Sequence, residues 1–148
     1  MIKTIVGFAL SATLFALCLP VEAQQPVKVP RVGYLSTTGD SNTPGPRTEA
    51  FRQGLHNLGY IEGKNILVEY RYIEGKPDRI PDVVTEFMQL KLDVLVFTSL
   101  SAIRAAKQAS KTIPIVMVIG EDPVTNGIVD SLARPGGNIT GSPDSPEN

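Results

Sequence analysis

Residues 93–120 read DVLVFTSLSAIRAAKQASKTIPIVMVIG, and this stretch decides the fold. Asp93–Thr98 (DVLVFT) is a nearly continuous apolar run, as expected of a strand covered on both faces. Pro114–Gly120 (PIVMVIG) is a second such run. Between them lies an alanine-rich segment with Ser99 placed to cap it, and Lys107 and Lys111 suit the negative end of a helix. A strand, a helix and a second apolar strand make a right-handed crossover unit, which implies a parallel sheet.

The same alternation extends outward in both directions. Upstream, Arg31–Ser36 (RVGYLS) reads as a short strand. Thr48–Leu58 sets Phe51, Leu55 and Leu58 on one helical face, with Gly59 where a helix stops. Asn65–Ile73 (NILVEYRYI) alternates and is rich in β-branched and aromatic residues, so it reads as a strand. A turn at Glu74–Pro77 leads into a helix that starts between Asp78 and Pro81 and buries Ile80, Val83, Val84, Phe87 and Leu90. Downstream, Asp122-Pro123 is a helix-start signal, and Val124, Ile128 and Leu132 repeat every four residues. Arg134-Pro135-Gly136-Gly137 would end that helix, and Asn138–Thr140 would form one last short strand. The sum is an α/β three-layer sandwich of about five parallel strands, a single lobe over residues 31–141. A lead-in segment covers 24–30, and a polar tail expected to be disordered covers 142–148.

The first 23 residues read as an export signal. Lys3 supplies a short positive start, Ile5–Leu19 is largely apolar, and Pro20 precedes the compact Val21-Glu22-Ala23. The apolar core is roughly 15 residues, short of the ~20 that span a bilayer. The expected location is therefore periplasmic or otherwise extracytoplasmic. Cys18 is the one cysteine and falls inside this segment, so the mature chain would hold no disulfide, thiol nucleophile or cysteine-ligated zinc. The formal net charge is -1 and the charges are mixed along the chain, with no basic stripe to suggest a nucleic-acid partner.

Motifs for catalysis are incomplete. Gly59–Asn65 (GYIEGKN) has one residue too few for a phosphate loop, lacks the magnesium-binding hydroxyl, and runs from helix to strand instead of strand to helix. No Gly-x-Gly-x-x-Gly follows the first strand. Gly39–Thr43 matches a nucleophile elbow only in part, and His56, the sole histidine, sits within a helix. No catalytic residue, metal site or cofactor is expected.

Position carries more information than motif. In an open parallel sheet, ligands bind beyond the carboxyl ends of the strands, near the point where strand order reverses. Those ends supply Ser36, Thr37, Thr98, Ser99, Glu121 and Asp122, which are the candidate ligand-binding residues. Hydroxyls and helix-start amides at Ser99 suit an anionic group, and Asp122 suits an ammonium, as a small zwitterion requires. Asp122 also has a plain structural reading, as a cap for the segment that follows it. Tyr34 and Phe97 fall near the same edge, although strand alternation would send either one into the core.

From Arg31 to Gly141 the chain closely resembles the N-terminal part of a family of ABC transporter substrate-binding proteins. The resemblance is carried by Ala50–Leu55 (AFRQGL), Leu58–Asn65 (LGYIEGKN), Glu74–Arg79 (EGKPDR), Ala105–Ala109 (AAKQA), Thr112–Met117 (TIPIVM), Asp122–Val124 (DPV) and Leu132–Gly141 (LARPGGNITG). It implies a periplasmic-binding-protein-like fold of the first type, related to flavodoxin-like sheets, with two α/β lobes joined by a hinge. An amino acid or similar small molecule would close between the lobes, and the loaded protein would dock on the membrane permease of an ABC transporter. Family members continue past the GGNITG motif into a second lobe, whereas this sequence stops at Asn148. The expected function is an exported solute-binding component, truncated to one lobe, and not an enzyme. The competing readings are an exported hydrolase-like enzyme and a non-functional remnant.

Overall fold

The computed structural model describes residues 28–131 and 136–143. The expected export signal, most of the lead-in, the Leu132–Pro135 stretch and residues 144–148 lie outside the described residues. Strand β1 (Arg31–Ser36) is followed by helix α1 (Pro46–Asn57) and strand β2 (Leu67–Tyr72). A 3-10 turn (Pro77–Arg79) leads into helix α2 (Ile80–Gln89), and then come strand β3 (Val94–Phe97) and helix α3 (Leu100–Ala109). Strands β4 (Ile115–Ile119) and β5 (Ile139–Pro143) complete the order. The five strands form one sheet in the order β2-β1-β3-β4-β5, and every pairing is parallel. The expected α/β parallel sheet is therefore the observed one. No helix among the described residues is long and apolar enough to cross a membrane.

Local chemistry explains the elements. Pro46 opens α1 at a position where its missing amide is not needed. The helix closes at Gly59, whose φ of 84° turns the chain so that Gly59 N donates to His56 O and Tyr60 N to Leu55 O, both at 2.9 Å. Leu58 caps this end and is 76% exposed, so the expected apolar stripe reaches only to Leu55. On α2, Ile80, Val83, Val84 and Phe87 are all buried, as their spacing predicts. Ser99 caps α3 by accepting from Ala102 N at 3.3 Å.

The two faces of the sheet are covered unequally. On one face α2 and α3 pack over Leu35, Leu95, Phe97, Ile115, Met117 and Ile119. Gly33 permits that approach, because a Cβ there would come within 2.6 Å of Leu92 Cδ1 and 2.9 Å of Leu95 Cδ2. Arg71 of β2 fastens the same layer, its Nε lying 3.1 Å from each carboxylate oxygen of Glu86 on α2. On the other face α1 is the one helix among the described residues, packing through Phe51 and Leu55 against Val32, Tyr34 and Val96. Val116 and Val118 on this side are only half-buried, which corrects the expectation that β4 is covered on both faces. A groove of about 320 Å³ runs along that flank, walled by Val94, Val96, Val116, Val118, Phe51 and Leu55 among others.

Residues 121–131 depart from the sequence reading. They form a series of turns instead of a helix. Asp122 and Pro123 start as a helix would, with Asn126 N donating to Asp122 O at 3.2 Å and Ile128 N to Pro123 O at 2.8 Å. Gly127 then takes a φ of 66°, outside the helical range, and the chain bends to bury Ile128 and Val129. The four-residue spacing of apolar positions is thus met by a turn that seats Ile128 while Val124 stays exposed.

Phe97 is fully buried and lies against Phe87, with ring centroids 6.3 Å apart. Truncation of Phe97 to alanine is expected to destabilise the fold by about 3–5 kcal/mol, read as a lowered denaturant midpoint in equilibrium unfolding.

Candidate functional site

Because all five strands are parallel, their carboxyl ends share one edge. Ser36–Thr38, Thr98–Ser99 and Gly120–Asp122 leave the sheet there, so the candidate residues fall along a single rim. The reversal of strand order lies between β1 and β3, directly under Thr37 and Thr98. The two segments are tied together: Thr37 N donates to Thr98 Oγ1 at 3.3 Å, and that hydroxyl donates to Leu35 O at 3.3 Å.

The six candidates differ in what their polar groups have left to offer. Ser36 is buried, and its hydroxyl donates to Thr38 O at 2.8 Å while accepting from Thr38 N at 3.3 Å. Thr98 is buried and spans the β1 and β3 ends. These two hydroxyls hold the rim in shape. Thr37 and Ser99 are half-buried, and Ser99 Oγ is engaged as the α3 cap. Glu121 and Asp122 are exposed. The Asp122 carboxylate accepts from Thr125 Oγ1 at 2.6 Å and Val124 N at 2.9 Å, closing its own turn. The Thr125 hydroxyl, followed by the Val124 amide, holds its carboxyl below the usual carboxylate range.

Tyr34 and Phe97 are both in the core, on opposite faces of the sheet. Tyr34 stacks on Phe51 with centroids 4.7 Å apart, and burial pushes its phenol up, with the neighbouring Thr48 hydroxyl acting in the opposite sense. The Tyr34, Thr48 and Tyr72 hydroxyls are buried with no hydrogen-bond partner among the described residues.

The sequence reading missed the part of the rim built by α1. Gly45 is the N-cap of this helix and offers no side chain to its first amides. Arg47, in the first turn, reaches toward the end of β4, where a Cβ placed on Gly120 would stand 3.6 Å from Arg47 Nη2. Beneath it a cavity of about 440 Å³ is lined by Pro46, Arg47, Ala50, Phe51 and Val118. The signal available in sequence was slight: Pro46 after Gly45 suits a helix start, and only the strand order shows that this start faces β4. Among the described residues no group of three or more His, Cys, Asp or Glu could hold a metal ion.

Two outcomes test the rim. Thr98→Val removes the acceptor of the Thr37 amide and is expected to cost about 1–3 kcal/mol in equilibrium unfolding. The depressed Asp122 carboxyl favours the folded turn above its unfolded pKa of about 3.9, and that contribution disappears as pH falls through the lower folded value. The Val124 amide resonance should accordingly titrate with a midpoint below that of a free aspartate, and Asp122→Asn should abolish the titration.

Comparison with known proteins agrees with this architecture. The family model described as ABC transporter substrate binding protein matches residues 46–147, more than half of the chain. A curated relative, the tyrosine-binding protein of Clostridioides difficile (strain R20291), is 33% identical over 96 residues, covering 65% of this chain and 28% of its own length. Among solved structures, a conserved domain protein from Vibrio cholerae superposes with a TM-score of 0.68 at 34% identity, covering 80% of this chain and 40% of that one. A Streptococcus pneumoniae ABC domain in complex with L-Trp superposes with a TM-score of 0.68 at 22% identity, covering 78% of this chain and 39% of that one, and shows the fold alone. The chain therefore spans well under half the length of these relatives. With a family match over most of its sequence and the parallel sheet that such proteins share, the chain belongs to the ABC transporter substrate binding protein family.

Proposed function

We propose that this chain forms one jaw of an exported, two-lobed solute-binding protein that delivers an amino-acid-class small molecule to the membrane permease of an ABC transporter. The observation that carries the reading is the gathering of three loop segments and two helix starts at one edge of the parallel sheet, at the reversal of strand order. Such an edge presents hydroxyls, amides and carboxylates to a small zwitterion without a nucleophile and base in reach of each other. Ser41 lies before α1 and His56 in its last turn, so the length of the helix, roughly 18 Å at 1.5 Å per residue, separates them. That spacing disfavours the hydrolase reading. The relative named for tyrosine and the structure holding L-Trp make aromatic amino acids the first solutes to test.

A single jaw leaves the solute open to water on one side, so its affinity should be far below that of a closed clamp. Titrating the isotopically labelled chain with amino acids should shift amide resonances of residues 36–38, 98–99 and 120–122, with affinity weaker than micromolar by calorimetry. Silence at the whole rim toward every amino acid at about 10 mM, a concentration that detects binding weaker than -4 kcal/mol, would overturn the proposal.

A further inference from the structure

Asn126-Gly127 is the one Asn-Gly pair in the sequence, and the solute-binding reading makes no use of it. The pair lies in the run of turns after β4, in neither helix nor strand. Such a pair can close on itself, because a glycine nitrogen with no side chain beside it can approach the asparagine amide carbon. Gly127 has that freedom. It is exposed, its φ is 66°, and a Cβ placed on it would meet nothing within 4 Å. Asn126 before it is half-buried.

Helix α3 adds a positive charge at the atom that matters. Arg104 Nη2 donates to the Asn126 carbonyl oxygen at 3.1 Å. That oxygen belongs to the same peptide group as the Gly127 nitrogen. When this nitrogen loses its proton, negative charge spreads onto the oxygen, where the guanidinium stabilises it. Three hydrogen bonds oppose the reaction by holding the turn closed. Gly127 N donates to Val124 O at 2.9 Å, and Asp122 O accepts from Asn126 N at 3.2 Å and Asn126 Nδ2 at 2.9 Å. All three are local bonds of a largely exposed segment, so opening them costs far less than unfolding the sheet.

We propose that Asn126-Gly127 is a site of spontaneous modification, converted to aspartate and isoaspartate, and that Arg104 accelerates the conversion by stabilising charge on the Asn126 carbonyl. Hydroxide takes the proton from Gly127 N, and that nitrogen forms a bond to Asn126 Cγ. The Cγ–Nδ2 bond breaks, and the side-chain nitrogen takes up a proton from water and leaves as ammonia. Water then opens the cyclic imide at one carbonyl or the other, giving aspartate or isoaspartate. Either product replaces the Nδ2 donor to Asp122 O with a carboxylate, which that carbonyl repels. Isoaspartate also lengthens the main chain between Pro123 and Ile128, which are joined by a 2.8 Å bond from Ile128 N to Pro123 O. The turn at the β4 end of the rim is thereby loosened.

The test is to age the whole chain at physiological temperature in weakly alkaline buffer and map its peptides by mass. Conversion at Asn126 should outrun that at Asn42, Asn57, Asn65 and Asn138, with isoaspartate the larger product. Arg104→Gln should slow it about two- to fivefold, the range that an exposed charged contact supplies. Lys107→Met is the control, because Lys107 Nζ bonds the nearby Ile128 O at 2.7 Å and leaves the Asn126 carbonyl alone. It should not slow the conversion. In concentrated urea the unaltered chain and Arg104→Gln should convert at one rate. An undiminished rate in Arg104→Gln, an equal slowing in Lys107→Met, or a slowing that persists in urea would overturn the role of Arg104. Protection of Asn126 in the unaltered chain would overturn the site itself. As product accumulates, the amide resonances of residues 122–128 should move, and a spectrum that stays unchanged there would overturn the loosening of the turn.

Discussion

The double pairing of β1 is the constraint on which the rest of the structure depends. Arg31–Ser36 hydrogen-bonds in parallel to β2 on one side and to β3 on the other. A strand that is first among the described residues and interior to the sheet forces the connections out of it and back to diverge. The chain leaves β1 through α1 to reach β2, then returns through α2 to β3 on the opposite flank. That divergence opens a crevice at the carboxyl ends, and the parallel direction of every strand brings all the outgoing loops to it. Residues more than sixty positions apart, Thr37 and Thr98, touch for this reason alone.

The unequal covering of the two faces follows from the same path. Of the α-helices among the described residues, α2 and α3 lie on one side, where Leu35, Leu95, Phe97, Ile115 and Ile119 are fully buried. The single helix on the other side shields the β1 half and leaves Val116 and Val118 partly open. The apolar groove and the Arg47 hollow are the lower and upper parts of that one open flank, since Phe51 and Val118 line both. Fold and candidate site are therefore consequences of one choice, the side of the sheet on which α1 runs.

Much of this was legible in the residues themselves. The apolar runs at 94–97 and 115–119 declare strands by being short and rich in β-branched residues, and Ile80, Val83, Val84 and Phe87 declare a helix by their period. The candidate segments could be named because their places follow from strand direction. What could not be read was how local bonds divide the polar groups between structure and availability. Ser36 and Asp122 look like binding groups in sequence, and both bond within their own loops, Ser36 buried and Asp122 at the surface. Arg47 looks like an ordinary surface arginine, and its relation to Gly120 exists only once α1 has been laid against the sheet. The 121–131 segment misled for a related reason. Its spacing is helical, but Gly127 and the burial of Ile128 and Val129 favour a bend over another turn of helix.

The two outer strands give the sheet a further property. At β5, Gly141 sits at a φ of 139°, tight against Met117, where any Cβ would come 2.5 Å from its carbonyl oxygen. Pro143 at the end of that strand has no amide hydrogen to offer a newcomer. At β2, Glu69 and Arg71 are drawn into ion pairs with Arg31, Glu86 and each other. Neither margin is a clean template for a further strand, so this open sheet is discouraged from polymerising along its sides.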